Sequence, residues 1–269
     1  MKKLLAAALA ALFALSLAGC GTPAASASTA ETAGQPVELV VFAAASLTET
    51  LTEIADTYEA AHPGVTLTFN FDSSGTLKTQ VEEGAACDVF LSAAEKQLDQ
   101  LEELGLVDTA TRLDLLENRV TLCVPEGNPA SIQGFDDLAG RLAAGDILLA
   151  MGNSDVPVGQ YTQKIFAHYG LDEGALASAG VLTYGTNVKE VTAQVAQGSV
   201  DCGIVYATDA YSAGLTVVDT ATAELCGQVL YPGAVLYGSA HPAEAAAFLD
   251  YLSTPEAMKI FASVGFSAP

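Results

Sequence analysis

Short runs of Val, Leu, Ile and Phe alternate along this chain with segments of helical spacing, and that alternation restricts it to the α/β class with a mostly parallel sheet. Residues 37–45 read as a strand, and residues 47–60 as a helix carrying Leu47, Leu51, Ile54 and Tyr58 on one face. Pro63-Gly64 ends that helix. A strand at 65–71, a short helix at 76–83, a strand at 89–92 and a helix at 95–104 follow, with Gly105 as the C-cap. Residues 118–124 read as one strand leading into the Pro-Glu-Gly-Asn-Pro turn at 125–129, where a crossing into a second domain is placed. The second series comprises a strand at 147–150, helices at 158–169 and 188–197, and a strand at 203–206. Tyr231-Pro232-Gly233 marks a return, and residues 242–253 and 255–264 read as two helices, each opened by proline, that pack back on the first domain.

The first residues form an export signal: Lys2 and Lys3 precede an apolar stretch too short to span a bilayer, which needs about 20 residues. Leu17-Ala18-Gly19-Cys20 resembles the lipobox of bacterial lipoproteins, which implies cleavage before Cys20 and lipid on its sulfur. Residues 20–36 are mainly Ala, Ser, Thr, Gly and Pro, a tether that cannot bury a core. The whole chain carries a formal charge of −22, and loss of Lys2 and Lys3 with the signal deepens it to −24. Nucleic acid and anionic membrane are poor partners for such a surface, so contact with the membrane is expected only through the lipid.

Cys87, Cys123, Cys202 and Cys226 could pair in three ways in an oxidising compartment. Three of them, Cys87, Cys123 and Cys202, lie beside apolar strand-like runs, where a free cysteine serves as a small buried hydrophobe; the sequence leaves the choice open. No C-x-x-C occurs and His62, His168 and His241 are scattered, so no metal-ligand cluster is evident. G-x-S-x-G, S-x-x-K and H-E-x-x-H are also missing, which argues against an enzyme and leaves no catalytic residue to name.

Four places join a strand or turn to a small or kinked residue and then to a helix start, where unpaired N–H groups and a partial positive charge hold anions. In the first, Ser46 and Glu49 occupy capping-box positions. The second, Asp72-Ser73-Ser74-Gly75, brings two hydroxyls and a glycine that lets backbone approach closely. Pro157 opens the third, presenting the N–H groups of Val158 and Gly159, and Asn187 with Glu190 frames the fourth, ahead of Val188. Tyr206 ends an apolar run at a strand C-terminus, where open α/β sheets place ligands. Helix capping, ordinary turns and a core tyrosine would account for each of these features singly.

Val41-Phe42-Ala43-Ala44-Ala45-Ser46-Leu47-Thr48, Ser73-Ser74-Gly75-Thr76-Leu77 with Gln80, the segment from Gly84 through Cys87-Asp88-Val89-Phe90-Leu91-Ser92-Ala93, Gly203-Ile204-Val205-Tyr206 with Asp209-Ala210, and Gly265-Phe266 together resemble the periplasmic molybdate-binding protein family, over residues 37–266. The resemblance implies a two-lobed, type II periplasmic-binding-protein fold with two hinge crossings: lobe I from residues 37–118 plus 232–269, lobe II from residues 119–231. It implies that molybdate or tungstate sits between the lobes, that Ser46 and Ser74 each give a hydroxyl and an N–H, that Val158 and Val188 give N–H groups, and that Tyr206 gives its phenol. It further implies an extracytoplasmic monomer serving the membrane permease of an ABC importer, with no cofactor and no directly coordinated metal, the metal arriving as its oxyanion. Val158 and Cys87 depart from the family pattern, which commonly has alanine at both places; a backbone donor survives the first change, though valine can narrow the pocket.

All of these contacts are donors, and molybdate and tungstate are dianions offering only acceptor oxygens. A singly protonated phosphate would face donors with its own hydrogen, at about 1 to 3 kcal/mol for a buried unmade bond. Sulfate passes that test and must be rejected by size. The same fold serving sulfate or another small anion, and a surface sensor or adaptor lipoprotein, are the alternative readings.

Overall fold

The apolar runs become two five-stranded sheets flanked by helices, described here for residues 36–269 of a computed structural model. The signal read at 1–19, the lipid-bearing Cys20 and the tether up to residue 35 lie outside the described residues. The first stretch runs β1 (Val37–Ala44), a 3-10 turn (Ala45–Leu47), α1 (Thr48–Ala61), β2 (Val65–Asp72), α2 (Ser74–Glu82), β3 (Val89–Leu91), α3 (Glu95–Glu103) and β4 (Leu113–Asn118). It continues as β5 (Val120–Val124), α4 (Phe135–Ala144), β6 (Leu149–Gly152), α5 (Pro157–His168), α6 (Glu173–Ser178), β7 (Leu182–Gly185), α7 (Val188–Ala196), β8 (Cys202–Tyr206), α8 (Ala207–Ser212), β9 (Thr216–Thr220) and α9 (Ala223–Cys226). β10 (Val229–Val235), α10 (Pro242–Leu252) and α11 (Pro255–Ser263) complete it.

Strand order is β2-β1-β3-β10-β4 in the first sheet and β7-β6-β8-β5-β9 in the second. In the first sheet β10 is antiparallel to both its neighbours, and in the second β5 is, so each sheet holds one reversed strand. Those are the strands that the chain enters on changing sheet, which gives two lobes joined by two crossings. The sequence reads residues 118–124 as one strand and puts a crossing in the turn at 125–129. Instead the run divides at Arg119: β4 belongs to the first sheet and β5 to the second, while the turn follows β5. Glu117-Asn118-Arg119 does interrupt the apolar pattern there, but the stronger Pro-Gly signal of the following turn draws the crossing past it. Elements α4, α6, β7, α8, β9 and α9 were not legible as separate elements either.

Alternation along β1 shows why the sheets are covered on both faces. Leu39, Val41 and Ala43 join the core that includes Leu51 and Ile54 of α1 and Phe248 of α10, whereas Phe42 joins Leu77 of α2 and Leu98 and Leu101 of α3 on the other face. α10 packs on β10 and α11 on α1. The four described cysteines are all free and buried. Burial pushes the Cys87 and Cys123 thiols up to about 12, so both stay protonated and unreactive.

Candidate functional site

Three helix starts and the 3-10 turn after β1 converge between the lobes. The space they enclose is lined by Ala44, Ala45, Ser46, Asp72, Ser73, Ser74 and Ala93 from the first lobe, and by Val156, Pro157, Val188 and Tyr206 from the second. All but Asp72 are buried. Its volume is about 10 Å³, on a measure by which one water needs roughly 10–15 Å³. A much larger groove of about 450 Å³ lies between α3 and α5, but it carries both signs of charge (Glu95, Asp99, Glu103, Lys96, Lys164) and contains none of the candidate ligand residues.

Ser46, Ser74, Val188 and Tyr206 thus come together. Val158 does not line the cavity: it is fully buried in the core, one residue beyond Pro157, and only its position in the first turn of α5 relates it to the space. Ser46 does not cap a helix as its capping-box position suggests; α1 has no side-chain cap, and Ser46 Oγ lies 2.9 Å from the Tyr231 hydroxyl. Glu49, the other half of that box, pairs instead with Lys189 of α7 across the lobes. Ser73 caps α2 by accepting from the N–H of Thr76, while the earlier N–H groups of that helix start have no intrahelical partner. Asn187 caps α7 in the same way through Glu190 N–H, and Glu190 accepts from Thr186 N–H at 2.6 Å. Pro157 sits at the start of α5, where its missing N–H costs nothing.

The wall carries no Lys or Arg, so its positive potential comes from helix starts. Asp72 opposes it, but its Oδ1 accepts from Ser73 N–H at 2.7 Å and from Asn187 Nδ2 at 3.3 Å, the latter across the lobes. Tyr206 Oη also bridges them, donating to the Ala93 carbonyl at a long 3.4 Å. Burial raises the Tyr206 pKa well above that of a free phenol, so it remains a donor. Sequence reasoning missed Val156 and Ala93, which supply wall rather than polar side chains, and Tyr231, whose partners are far away in the chain.

Just behind α7, Lys189 Nζ lies 2.8 Å from both Glu49 oxygens and 3.0 Å from Asp209 Oδ1. Asp209 is 1 % exposed and accepts no well-aligned hydrogen bond. Burial raises its pKa to about 6, with Lys189 pulling the other way and Glu49 adding to the rise. The folded chain therefore holds a proton between about pH 4 and 6 that the unfolded chain releases, and stability falls as pH rises through that window, then levels. Thermal unfolding across pH 4 to 7 should show this fall in the parent and a shallower one in Asp209→Asn; parallel profiles would disprove it.

No group of three or more His, Cys, Asp or Glu suited to a metal ion occurs among the described residues. None of the described helices is long and apolar enough to cross a membrane.

Residues 39–267 match the family of bacterial extracellular solute-binding proteins. The chain is 34% identical to the putative ABC transporter substrate-binding lipoprotein YvgL of Bacillus subtilis (strain 168), over 86% of this chain and 87% of that one. It is also 34% identical to the molybdate-binding protein ModA of Escherichia coli (strain K12), over 86% and 89%. Among solved structures, the sulfate-binding protein SubI from Mycobacterium tuberculosis H37Rv superposes with a TM-score of 0.71 at 20% identity, over 86% of this chain and 87% of that one, which shows a shared two-lobed fold.

Proposed function

Because this chain belongs to the bacterial extracellular solute-binding protein family, we propose that it captures molybdate or tungstate between its lobes and presents the oxyanion to the membrane permease of an ABC importer. It is an extracytoplasmic substrate-binding protein of the ABC-transporter type, not an enzyme. The observation that carries the choice of ligand is the cavity wall. Two serine hydroxyls, a buried phenol and the starts of α2, α5 and α7 face one small space with no cationic side chain. Such a wall suits a compact dianion that only accepts, and it disfavours organic carboxylates, which are often held by bidentate Arg.

In this reading Ser46 and Ser74 donate from lobe I, while Tyr206 and the N–H groups of Val158 and Val188 donate from lobe II. Contacts on both lobes favour the closed form, which the permease then recognises. The space has room for about one water, so admitting a four-oxygen anion requires the lobes to part. No cofactor is needed, since the metal arrives as its oxyanion. Residues 1–19 are the lipoprotein signal, Cys20 carries the lipid and residues 20–36 form the tether that lets a monomer reach its permease.

The test is thermal unfolding of the soluble chain without Cys20 against molybdate, tungstate, sulfate and phosphate at equal ionic strength. A ligand at 100 times its dissociation constant adds about 2.7 kcal/mol. Shifts with molybdate and tungstate alone are expected. A shift with sulfate as well would transfer the choice of anion to another feature, and no shift with any of the four would refute the reading.

A further inference from the structure

A hydroxyl can donate to a ligand only if no protein acceptor claims its proton, and the polar groups behind Ser46 determine where that proton goes. Asn118, the last residue of β4 at the first crossing, is 3 % exposed, and its Oδ1 accepts from Arg119 N–H at 2.8 Å. A backbone N–H only donates, so this contact fixes which end of the amide is which. The NH2 end then faces Thr208 Oγ1 of α8 at 2.9 Å and Tyr231 Oη of β10 at 3.2 Å. Tyr231 therefore accepts from Asn118 and must place its own proton elsewhere. It is 1 % exposed, and the acceptor in hydrogen-bonding geometry is Ser46 Oγ at 2.9 Å, with the Tyr206 hydroxyl, which itself donates to the Ala93 carbonyl, as the competitor. Stranding the phenol proton in the interior would be costly.

We propose that Asn118 and Tyr231 are positioning residues that set the polarity of the site: donation runs from Asn118 to Tyr231 to Ser46, which leaves the Ser46 proton no protein acceptor and directs it into the cavity. Ser74 is treated alike by a different donor, since Ala93 N–H donates to its Oγ at 3.0 Å. Both serines then offer protons to whatever lies between the lobes. Selection of a fully deprotonated oxyanion over a hydrogen-bearing one follows from this arrangement, and here the inference rests on the oxyanion reading above. The chain of donors also ties the crossing, through Thr208, to the second lobe.

Neutron diffraction of the deuterium-exchanged, unliganded protein reads the polarity directly and needs no ligand. The deuteron of Tyr231 is expected on the line to Ser46 Oγ; a deuteron from Ser46 pointing at Tyr231, or the Tyr231 deuteron pointing at Tyr206, would overturn the proposal. Calorimetry with molybdate provides the functional arm. Asn118→Asp turns the donor facing Tyr231 into an acceptor, so Tyr231 should reverse, Ser46 should donate backwards, and affinity should fall by about tenfold or more, the scale of a hydrogen bond to a charged group. Adding Tyr231→Phe to that variant removes the relay and should restore part of the loss. An unrelieved loss would mean that the new carboxylate acts by charge alone and would count against the relay. Should the parent chain bind no tetrahedral oxyanion, the functional reading fails while the neutron result still decides the polarity.

Discussion

Alanine in place of Gly75 is expected to weaken molybdate binding by about tenfold to a hundredfold, the 1 to 3 kcal/mol scale of overpacking a fitted contact. Gly75 lies in the first turn of α2, and a Cβ built there would come 2.1 Å from the carbonyl oxygen of Asp155, ahead of α5 in the other lobe. The obstacle is backbone against backbone across the cleft, and it exists only when the lobes meet. Within α2 itself alanine suits the helix better than glycine by roughly 0.5–1 kcal/mol. The variant should therefore unfold no earlier than its parent while failing to close. Calorimetry gives the affinity, and small-angle scattering with saturating molybdate should keep the unliganded profile. Parent-like affinity together with ligand-induced compaction would show that the lobes do not need this contact.

Removing single donors should cost a similar amount but separate two roles. Ser74→Ala and Tyr206→Phe are each expected to weaken molybdate binding by about 1 to 3 kcal/mol, as for bonds to a charged group. Their effects on the unliganded protein should differ. Ser74 Oγ accepts from the buried N–H of Ala93 at 3.0 Å, so its loss strands a backbone donor and lowers the melting temperature. Tyr206 donates at a long 3.4 Å to the Ala93 carbonyl and its hydroxyl also adjoins that of Tyr231, while phenylalanine fills the same space, so stability should change less than in Ser74→Ala. Unaltered affinity in both variants would sink the site assignment, whatever happens to the melting temperatures.

Contacts that do not involve ligand already join the lobes: Lys189 to Glu49, Asn187 to Asp72 and Tyr206 to Ala93. They bias the two-state equilibrium toward the closed form before any anion arrives, so the anion has less work to do on closing it. Lys189 suits this role because buried Asp209 holds its ammonium group in place, and less side-chain freedom is lost on meeting Glu49.

The α/β class and the order of the principal elements were legible because they depend on local spacing: apolar alternation in β1, the helical face of α1, the prolines opening α10 and α11. The two-lobed architecture and the solute-binding family were legible through the segments around Ser46, Ser74 and Tyr206. Helix starts at Ser73, Pro157 and Asn187 could also be read, since capping chemistry is confined to a few residues. At Ser46 the local signal offered helix capping beside a place in the site; the N-cap of α1 is Leu47, and the Ser46 hydroxyl meets Tyr231 instead. At Arg119 two readings differed: the Pro-Gly turn drew the local signal to 125–129, whereas the family resemblance put the lobe boundary between residues 118 and 119, and the chain changes sheet at Arg119.

By itself the sequence determined which residues begin helices, which face of each strand is apolar and that 32 acidic residues outnumber ten basic ones. Only the tertiary structure decided that four of those helix and strand ends share one cavity, that Val158 stands behind its wall, and that Gly75 meets Asp155 across the cleft. It alone joined Ser46 to Tyr231, 185 residues away, and Tyr231 to Asn118, 113 residues away. The physical reason is that capping and periodicity act over a turn or two of chain, whereas the direction of a buried proton depends on which donors and acceptors the packed lobes leave within about 3 Å of it.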